Sequence, residues 1–190
     1  MNWLAHLLLS EPTPGFMVGS ILPDLVITSR LTGLDPEVML GIKRHLDTDI
    51  FTDAHPVFKR SVRRFEKPLR SYGGIITDVL YDHFLTKNWS SYSPVKLSCF
   101  TATAYEAFGK RFDGVPTEAC TMLEKISKTD LLGSYSELSG VEKALRGIRL
   151  RLSRSFDTDL AIEEIQAKYD LFLSDFNDFF PELNNRYKTR

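Results

Sequence analysis

Proline and glycine divide this sequence into short segments, and nearly every segment has the apolar spacing that is typical of an α-helix. The clearest segment begins at Asp35, which predicts an N-cap, followed by Pro36 at the first helical position. Its pattern continues to about Asp53, and His55-Pro56 ends it because the residue before a proline is biased away from helical angles. We find no apolar–polar alternation joined by hairpin turns. The sequence therefore predicts an all-α protein.

The other segments predict helices along the rest of the chain. Asn2 predicts the N-cap of a helix that reaches Ser10, and the apolar segment around Gly19 and Pro23 also favours helix over strand. We expect one helical-bundle domain over residues 1–190, with the motifs within 1–93, a helical remainder over 94–180 and a tail over 181–190. The further predicted helices cover residues 57–67, 75–89, 97–108, 118–128, 136–151 and 160–179.

Charge and cysteine content exclude several classes of protein. The 24 basic and 25 acidic residues give a net charge of −1, so no overall field attracts nucleic acid or a membrane. The apolar start, MNWLAHLLLS, is too short to span a bilayer and lacks the basic region of a signal peptide. Cys99 and Cys120 are too few for a disulfide framework and have no metal-ligand spacing. We therefore expect a cytoplasmic protein without a membrane partner. Nucleic acid is a poorly supported partner, and the sequence leaves the oligomeric state open.

The segment GIKRHLDTDIFTDAHP places a histidine and a carboxylate on one face of a helix. His45 and Asp49 are four residues apart, so their side chains lie one above the other and can reach the same ion. Asp47 points elsewhere on the helix. The alternative interpretation is a surface His–Asp pair that contributes little to stability.

A second segment, TDVLYDHF, places two carboxylates in an apolar helix. Asp78 and Asp82 are also four residues apart, and the apolar residues around them predict that this helix is largely buried. Two buried carboxylates repel each other unless a cation lies between them, either a metal ion or an arginine. His83 points about 100° away from Asp82 around the helix.

Two more polar residues lie in apolar surroundings. His6 is placed among leucines in WLAHLLL, where a single histidine is usually a core residue bonded to a backbone carbonyl. Asp24 follows GSILP, where a single aspartate is usually an N-cap. Taken together with the two helical pairs, these residues predict a site for a hard or borderline divalent cation, because the set contains histidine and aspartate without cysteine. Such a site activates water and neutralises charge on a phosphoryl group.

The segment FKRSVRRFEKPLR carries a basic stripe between the two candidate metal helices. A solvated helix face is the commoner meaning of such a run, and docking of an acidic partner or a phosphate is the alternative. A weaker stripe over Lys143, Arg146, Arg149 and Arg154 has the same two interpretations. The proposed partner- or phosphate-binding residues are Arg60, Arg63, Arg64 and Lys67.

Four segments in order and spacing resemble the acyl carrier protein phosphodiesterases: MNWLAHLLLS, GSILPDLV, GIKRHLDTDIFTDAHP and GGIITDVLYDHFLTKNWSSYS. The resemblance covers roughly the first half of the chain. It implies an all-helical fold related to the HD-domain metal phosphohydrolases. It also implies hydrolysis of the phosphodiester between 4′-phosphopantetheine and a serine of acyl carrier protein, with Mn²⁺ as the metal and Mg²⁺ or Fe²⁺ as alternatives.

The resemblance also implies roles for individual residues. The implied metal ligands are His6, Asp24, His45 and Asp82. Asp49, Asp78 and His83 are implied as further ligands, as residues that orient the ligands or as the base that activates water, and Asp24 is also assigned a catalytic role.

The chain departs from the family pattern at one place. The family commonly has two arginines directly after the histidine of the third motif, where this sequence has Leu46 and Asp47. The exchange removes positive charge that an acidic carrier protein or a substrate phosphate would meet. Two alternatives therefore stay open: an HD-like phosphohydrolase acting on a nucleotide or another small phosphoester, and a helical binding module without catalytic activity.

Overall fold

The computed structural model describes residues 1–27, 29, 31–152 and 155–188, and within these residues every regular element is a helix. This confirms the all-α prediction, whereas the HD-domain-like topology stays a prediction. Short 3₁₀ helices lie at Leu22–Asp24 and Leu69–Tyr72. The α-helices are α1 (Trp3–Leu8), α2 (Pro14–Ile21), α3 (Pro36–Ala54), α4 (Pro56–Arg64), α5 (Gly73–Lys87), α6 (Trp89–Tyr92), α7 (Leu97–Phe108), α8 (Thr117–Lys128), α9 (Leu131–Ser134), α10 (Leu138–Arg149), α11 (Thr158–Ala167) and α12 (Tyr169–Lys188).

Helix α3 begins as the sequence predicts. The carboxylate of Asp35 accepts a hydrogen bond from the backbone N–H of Glu37 at 2.8 Å, and Pro36 is the first helical residue. At the other end, His55 has extended backbone angles and caps α4, with its Nδ1 accepting from the N–H of Val57 at 3.3 Å. The two helices are therefore separated by a single residue whose side chain starts the second one.

The predicted helix over residues 57–67 is wrong at its C-terminal end. Helix α4 ends at Arg64 because Phe65 takes an extended conformation and is fully buried. Lys67 precedes Pro68, which disfavours helical angles. Lys67 therefore does not continue the helical stripe of the basic segment.

The predicted tail after Pro181 is also wrong. Helix α12 contains Pro181 and continues to Lys188, and residues 189 and 190 lie outside the described part of the chain. Burial of Leu183 and Asn184 explains why the helix continues past a residue that lacks a backbone N–H. The single helix predicted over 160–179 is two helices, α11 and α12, that divide at Lys168.

Backbone contacts divide the chain into two compact units. The N-terminal unit comprises Trp3–Asp49 and Trp89–Gly133, and the C-terminal unit comprises residues 1–2, 50–88 and the chain from Ser134 onward. The single domain predicted for residues 1–190 stays a prediction. Each unit has its own buried core, described separately below.

Aromatic side chains form the core of the C-terminal unit. Tyr81 of α5 lies at the centre, with ring centroids 5.4 Å from Phe176, 5.7 Å from Phe179 and 5.9 Å from Phe58. All four side chains are almost fully buried. The rings bring α4 and α5 against α12, and the edge-to-face geometry of several pairs is the arrangement that aromatic quadrupoles favour.

Two glycines bring α2 and α3 into backbone contact in the N-terminal unit. A Cβ on Gly41 would lie 2.2 Å from the carbonyl oxygen of Phe16 and 2.8 Å from the Cα of Gly19. A Cβ on Gly19 would lie 2.1 Å from the carbonyl oxygen of Val38. Only a residue without a side chain fits at either position. This close approach sets the distance between α2 and the face of α3 that carries His45.

Candidate metal centre

Three of the predicted site residues converge in the N-terminal unit. His6 lies on α1, and His45 and Asp49 lie one turn apart on α3. The Nε2 of His6 is 3.2 Å from Oδ1 of Asp49, and the Nε2 of His45 is 3.1 Å from Oδ2 of the same carboxylate. The two imidazole rings stack at 4.0 Å. One carboxylate therefore faces two imidazole nitrogens, one at each oxygen.

The orientation of His45 is held from behind by α2. Its Nδ1–H donates to the backbone carbonyl of Ser20 at 2.7 Å. A ring nitrogen bonded in this way fixes the tautomer and turns the other nitrogen, Nε2, toward Asp49. The glycine contact between α2 and α3 allows this hydrogen bond, because Ser20 directly follows Gly19.

Burial and mutual charge set the protonation of the three groups. Burial lowers the pKa of His6 from 6.5 to about 4, so this imidazole is neutral at pH 7. Burial also opposes charge on His45, but the hydrogen bond to Asp49 and the charge of Asp24 raise the pKa of His45. Burial disfavours the ionised form of Asp49 as well, yet the adjacent imidazoles of His45 and His6 hold the pKa of that carboxyl well below its usual range. The carboxylate is therefore ionised.

Asp24 lies at the exposed edge of the same group. Its Oδ1 is 3.9 Å from Nε2 of His45, and its Oδ2 accepts a hydrogen bond from the indole N–H of Trp3 at 2.9 Å. Its side chain is 39% exposed, whereas the His45 side chain is 3% exposed. The carboxylate of Asp24 thus bonds to a side chain, whereas the usual role of a single aspartate, an N-cap, is a bond to a backbone N–H.

The residues present fit a divalent cation. Two ligand atoms that are each about 2.1 Å from one ion at right angles lie about 3 Å apart, close to the two imidazole–carboxylate distances. Ligand atoms of His6, His45 and Asp49 all lie within 4.8 Å of one another. Within the described residues, neither ring nitrogen of the buried His6 makes a hydrogen bond of good geometry, although its Nε2 is near Asp49. A buried imidazole beside a carboxylate but not bonded to it suits a third group between them.

Asp78, Asp82 and His83 belong to the C-terminal unit and are not members of this group of three. The carboxylate of Asp78 lies 3.2 Å from the amino nitrogen of Met1. Asp82 is fully buried on α5. The assignment of Asp82 as a ligand and of Asp78 as a catalytic residue stays a prediction.

Both ring nitrogens of His83 have protein partners. Its Nδ1–H donates to the carbonyl of Tyr135 at 2.8 Å, and its Nε2 accepts from the hydroxyl of Tyr169 at 2.8 Å. Burial lowers the pKa of His83, which is consistent with a neutral ring in this pattern. These contacts favour a structural role, and the predicted catalytic role stays a prediction.

The basic stripe is partly neutralised within the C-terminal unit. The Nε atoms of Arg60 and Arg64 lie 2.6 and 2.5 Å from the carboxylate of Asp175, which is fully buried on α12. Arg60 also bonds to Asp178 at 2.6 Å. Arg63 and Lys67 of the basic stripe are exposed. Arg154 of the weaker stripe lies outside the described residues.

Sequence reasoning missed the residues that support the imidazoles and carboxylates. Ser20 contributes only a backbone carbonyl, which has no sequence signal. Arg44 donates to the carbonyl of Leu9 at 2.5 Å and connects the end of α1 to α3. In the sequence, a single arginine beside His45 looks like an ordinary charged surface residue and does not indicate this contact. Trp3 could have been singled out, since a buried indole N–H usually needs a hydrogen-bond partner.

The fold and the cluster define a class: an all-α protein that gathers two imidazoles and a carboxylate, with a second carboxylate at the edge, in one unit. Residues 1–183 match the family described as acyl carrier protein phosphodiesterase, and the chain belongs to that family.

Individual members cover nearly the whole chain. An acyl carrier protein phosphodiesterase of Salmonella dublin is 27% identical over 184 residues, which are 96% of this chain and 95% of that protein. One of Escherichia coli O45:K1 (strain S88 / ExPEC) is 28% identical over a stretch of the same length and shares. One of Enterobacter sp. (strain 638) is 27% identical over 191 residues, 100% of this chain and 99% of that protein. No solved structure matches the chain.

None of the described helices combines the length and the apolar character that crossing a bilayer requires.

Proposed function

We propose that this protein is a metal-dependent acyl carrier protein phosphodiesterase, with Mn²⁺ as the cation and Mg²⁺ or Fe²⁺ as alternatives. The observation that supports metal dependence is the convergence of two imidazole nitrogens on the two oxygens of Asp49. Membership of the family supports the reaction, and the resemblance implies its substrate, the phosphodiester between 4′-phosphopantetheine and a serine of the carrier protein. Water adds to phosphorus, the serine oxygen leaves with a proton, and free 4′-phosphopantetheine and apo-carrier protein result.

Each residue of the cluster has a distinct part in this proposal. His6 is neutral and offers a nitrogen lone pair from a buried position, and Asp49 offers a negative charge beside both imidazole nitrogens. His45 is held by the carbonyl of Ser20, so only its Nε2 would be available to hold a cation. A divalent cation supplies a coordinated water of lowered pKa and withdraws charge from a phosphoryl oxygen.

We assign Asp24 as the residue whose carboxylate would complete the ligand set from the exposed edge of the cluster. Its side chain is the most exposed of the four, so solvent and substrate can reach it. Its Oδ1 lies toward His45, which places a carboxylate oxygen at the edge of the cluster rather than in its interior.

Mass spectrometry of holo-acyl carrier protein incubated with this protein and Mn²⁺ tests the proposal. We expect the carrier protein to lose the whole phosphopantetheine group in the presence of Mn²⁺ and to keep it in the presence of a chelator. The variant His45→Ala should abolish the reaction while the helical circular dichroism is retained.

His55→Asn is the matched control. His55 is also a buried histidine, but it lies on the C-terminal unit as the N-cap of α4, and asparagine retains an acceptor for the Val57 N–H. We expect this variant to keep the activity. Full activity of His45→Ala, or no reaction of the unmodified protein with any divalent cation, would refute the proposal. Incubating the protein with a set of nucleotides and measuring phosphoester hydrolysis separates this proposal from the alternative of a phosphohydrolase that acts on small phosphoesters.

A further inference from the structure

We propose that Trp3 is a positioning residue for Asp24, and that its indole N–H determines how tightly the candidate metal centre holds its cation. The proposal rests on the proposed function, because it takes the cluster of His6, His45 and Asp49 as a cation site. It concerns a residue that does not touch the ion and acts through a neighbouring carboxylate.

Trp3 is well suited to hold another side chain in place. Its ring is 7% exposed at the start of α1, so its orientation is fixed by packing. Its only polar atom, Nε1, donates to Oδ2 of Asp24 at 2.9 Å. A hydrogen bond from a neutral donor to an ionised carboxylate is among the stronger protein hydrogen bonds.

Asp24 is the member of the cluster that needs such support. It lies on a single-turn 3₁₀ helix, Leu22–Asp24, and 39% of its side chain is exposed. An aspartate with this exposure samples several rotamers in water, and some of them point away from His45. Ordering a side chain on binding costs free energy unless the order is already present. The hydrogen bond from Trp3 supplies that order before a cation arrives.

The hydrogen bond also gives the two carboxylate oxygens of Asp24 different neighbours. Oδ2 is occupied by the indole, whereas Oδ1 lies 3.9 Å from the Nε2 of His45. The oxygen nearer the imidazoles is thus the one left for a cation. Without the indole N–H, neither oxygen has a preferred direction. Residues that orient a metal ligand typically change metal affinity by a factor of about 10–100 when they are replaced.

A matched tryptophan separates this role from a general contribution to packing. Trp89 is also in the N-terminal unit and is 6% exposed, and its indole N–H donates to the carbonyl of Val95 at 2.7 Å. Trp3→Phe and Trp89→Phe therefore remove the same donor from equally buried rings. Only the first donor bonds to a residue of the cluster.

Calorimetric titration with Mn²⁺ tests the proposal. The titrated proteins are the unmodified protein, the two tryptophan variants, Asp24→Ala and the double variant Trp3→Phe/Asp24→Ala. We expect roughly tenfold weaker binding for Trp3→Phe and less than a twofold change for Trp89→Phe. Thermal melts without metal should fall by similar amounts in both. In the Asp24→Ala background, Trp3→Phe should cause no further loss of affinity, because the group it acts through is absent.

Four results would overturn the proposal. Equal weakening by both tryptophan variants would mean a packing effect, and a tenfold loss that persists in the Asp24→Ala background would mean that Trp3 does not act through Asp24. Unchanged affinity of Trp3→Phe beside tight binding by the unmodified protein would reject the role of Trp3 and leave the proposed function intact. Absence of stoichiometric Mn²⁺ binding by the unmodified protein would reject both.

Discussion

His45 and His83 are two buried histidines whose Nδ1–H groups both donate to backbone carbonyls, at 2.7 and 2.8 Å. They differ at the other ring nitrogen. The Nε2 of His45 faces the carboxylates of Asp49 and Asp24, whereas the Nε2 of His83 accepts from the hydroxyl of Tyr169. An imidazole beside carboxylates can exchange its proton for a cation, but one that accepts from a tyrosine is already satisfied. The same residue type therefore has two different uses in this protein.

Replacement of His83 by leucine should lower stability without weakening Mn²⁺ binding. The change leaves the hydroxyl of Tyr169 without this partner, while the carbonyl of Tyr135 keeps the hydroxyl of Thr86 at 3.2 Å. We expect the free energy of unfolding to fall by about 1–2 kcal/mol, as for partly compensated buried hydrogen bonds. Urea denaturation measures the free energy of unfolding, and calorimetric titration measures Mn²⁺ binding. A large loss of Mn²⁺ affinity with unchanged stability would instead identify His83 as a ligand.

Only part of the candidate site could be predicted from the sequence. His45 and Asp49 are four residues apart on one helix, so their contact follows from helical geometry alone. The contact of His6 with Asp49 joins residues of α1 and α3. The apolar surroundings of His6 and the resemblance both placed it in the predicted site, but no sequence spacing indicated which residue it contacts. The partners of His83 lie 52 and 86 residues away, and no local spacing indicates them. A local pattern shows that a polar residue is buried, but the fold decides which group satisfies it.

The contact between α2 and α3 links helix packing to the candidate metal centre. Gly41→Ala would place a Cβ 2.2 Å from the carbonyl oxygen of Phe16, and that atom is backbone and cannot rotate away. The helices must separate, which loosens the hydrogen bond from His45 to Ser20. We expect the free energy of unfolding to fall by about 2–3 kcal/mol, as for other overpacked sites, together with weaker Mn²⁺ binding.

Gly147→Ala is the control for the glycine prediction. Gly147 lies within α10, and a Cβ there would meet nothing within 4 Å. Because glycine is disfavoured inside helices, this variant should be as stable as the unmodified protein or more stable by up to about 1 kcal/mol. Chemical denaturation measures both variants. If Gly41→Ala were equally stable and bound Mn²⁺ normally, the contact would not control the position of His45.

Helices α4 and α12 are joined by a buried carboxylate. Asp175 accepts hydrogen bonds from Arg60, Arg64 and the hydroxyl of Ser61, the last at 2.7 Å. Asp175→Asn should lower the free energy of unfolding by about 2–3 kcal/mol at pH 7. This is less than the 3–5 kcal/mol found for fully buried pairs, since both guanidinium groups can reach solvent. Asp178→Asn is the control: its carboxylate is 55% exposed, and a change within about 0.5 kcal/mol is expected.

The same carboxylate predicts a dependence of stability on pH. Burial alone would raise the pKa of Asp175, but hydrogen bonds from Arg64, Ser61 and Arg60 hold the pKa below its usual range. A depressed folded-state pKa stabilises the protein above the unfolded-state pKa, about 3.9, and the contribution is lost as the pH falls through the folded-state value. The stability difference between the unmodified protein and Asp175→Asn should therefore be constant above about pH 5 and shrink below about pH 4. Urea denaturation across this range measures it, and a difference that grew on acidification would contradict the assignment.

The fold of the whole chain was predictable where local signals and burial agree. Asp35 caps α3 and Pro36 is its first residue, as the preferences of aspartate and proline for these positions predict. Pro181 misled the prediction, since the buried residues beyond it keep α12 helical to Lys188. Phe65 misled it in the opposite direction, because its burial in an extended conformation ends α4 early. In both cases packing overrode the preference of the local sequence.

Mn²⁺ should stabilise the entire protein by mass action if the candidate centre binds it only when folded. His6 and the α3 pair come from separate helices, so the unfolded chain does not hold their ligand atoms within 4.8 Å of one another. At a free Mn²⁺ concentration of 100 times Kd, the free energy of unfolding should rise by about 2.7 kcal/mol. For a chain of this length, that corresponds to a Tm increase of about 5–10 °C. Thermal denaturation with Mn²⁺ or with a chelator measures the shift, which should vanish in His45→Ala and persist in His55→Asn. An equal shift in His45→Ala would mean that the cation stabilises the fold from somewhere else, because that variant lacks the nitrogen that faces Asp49.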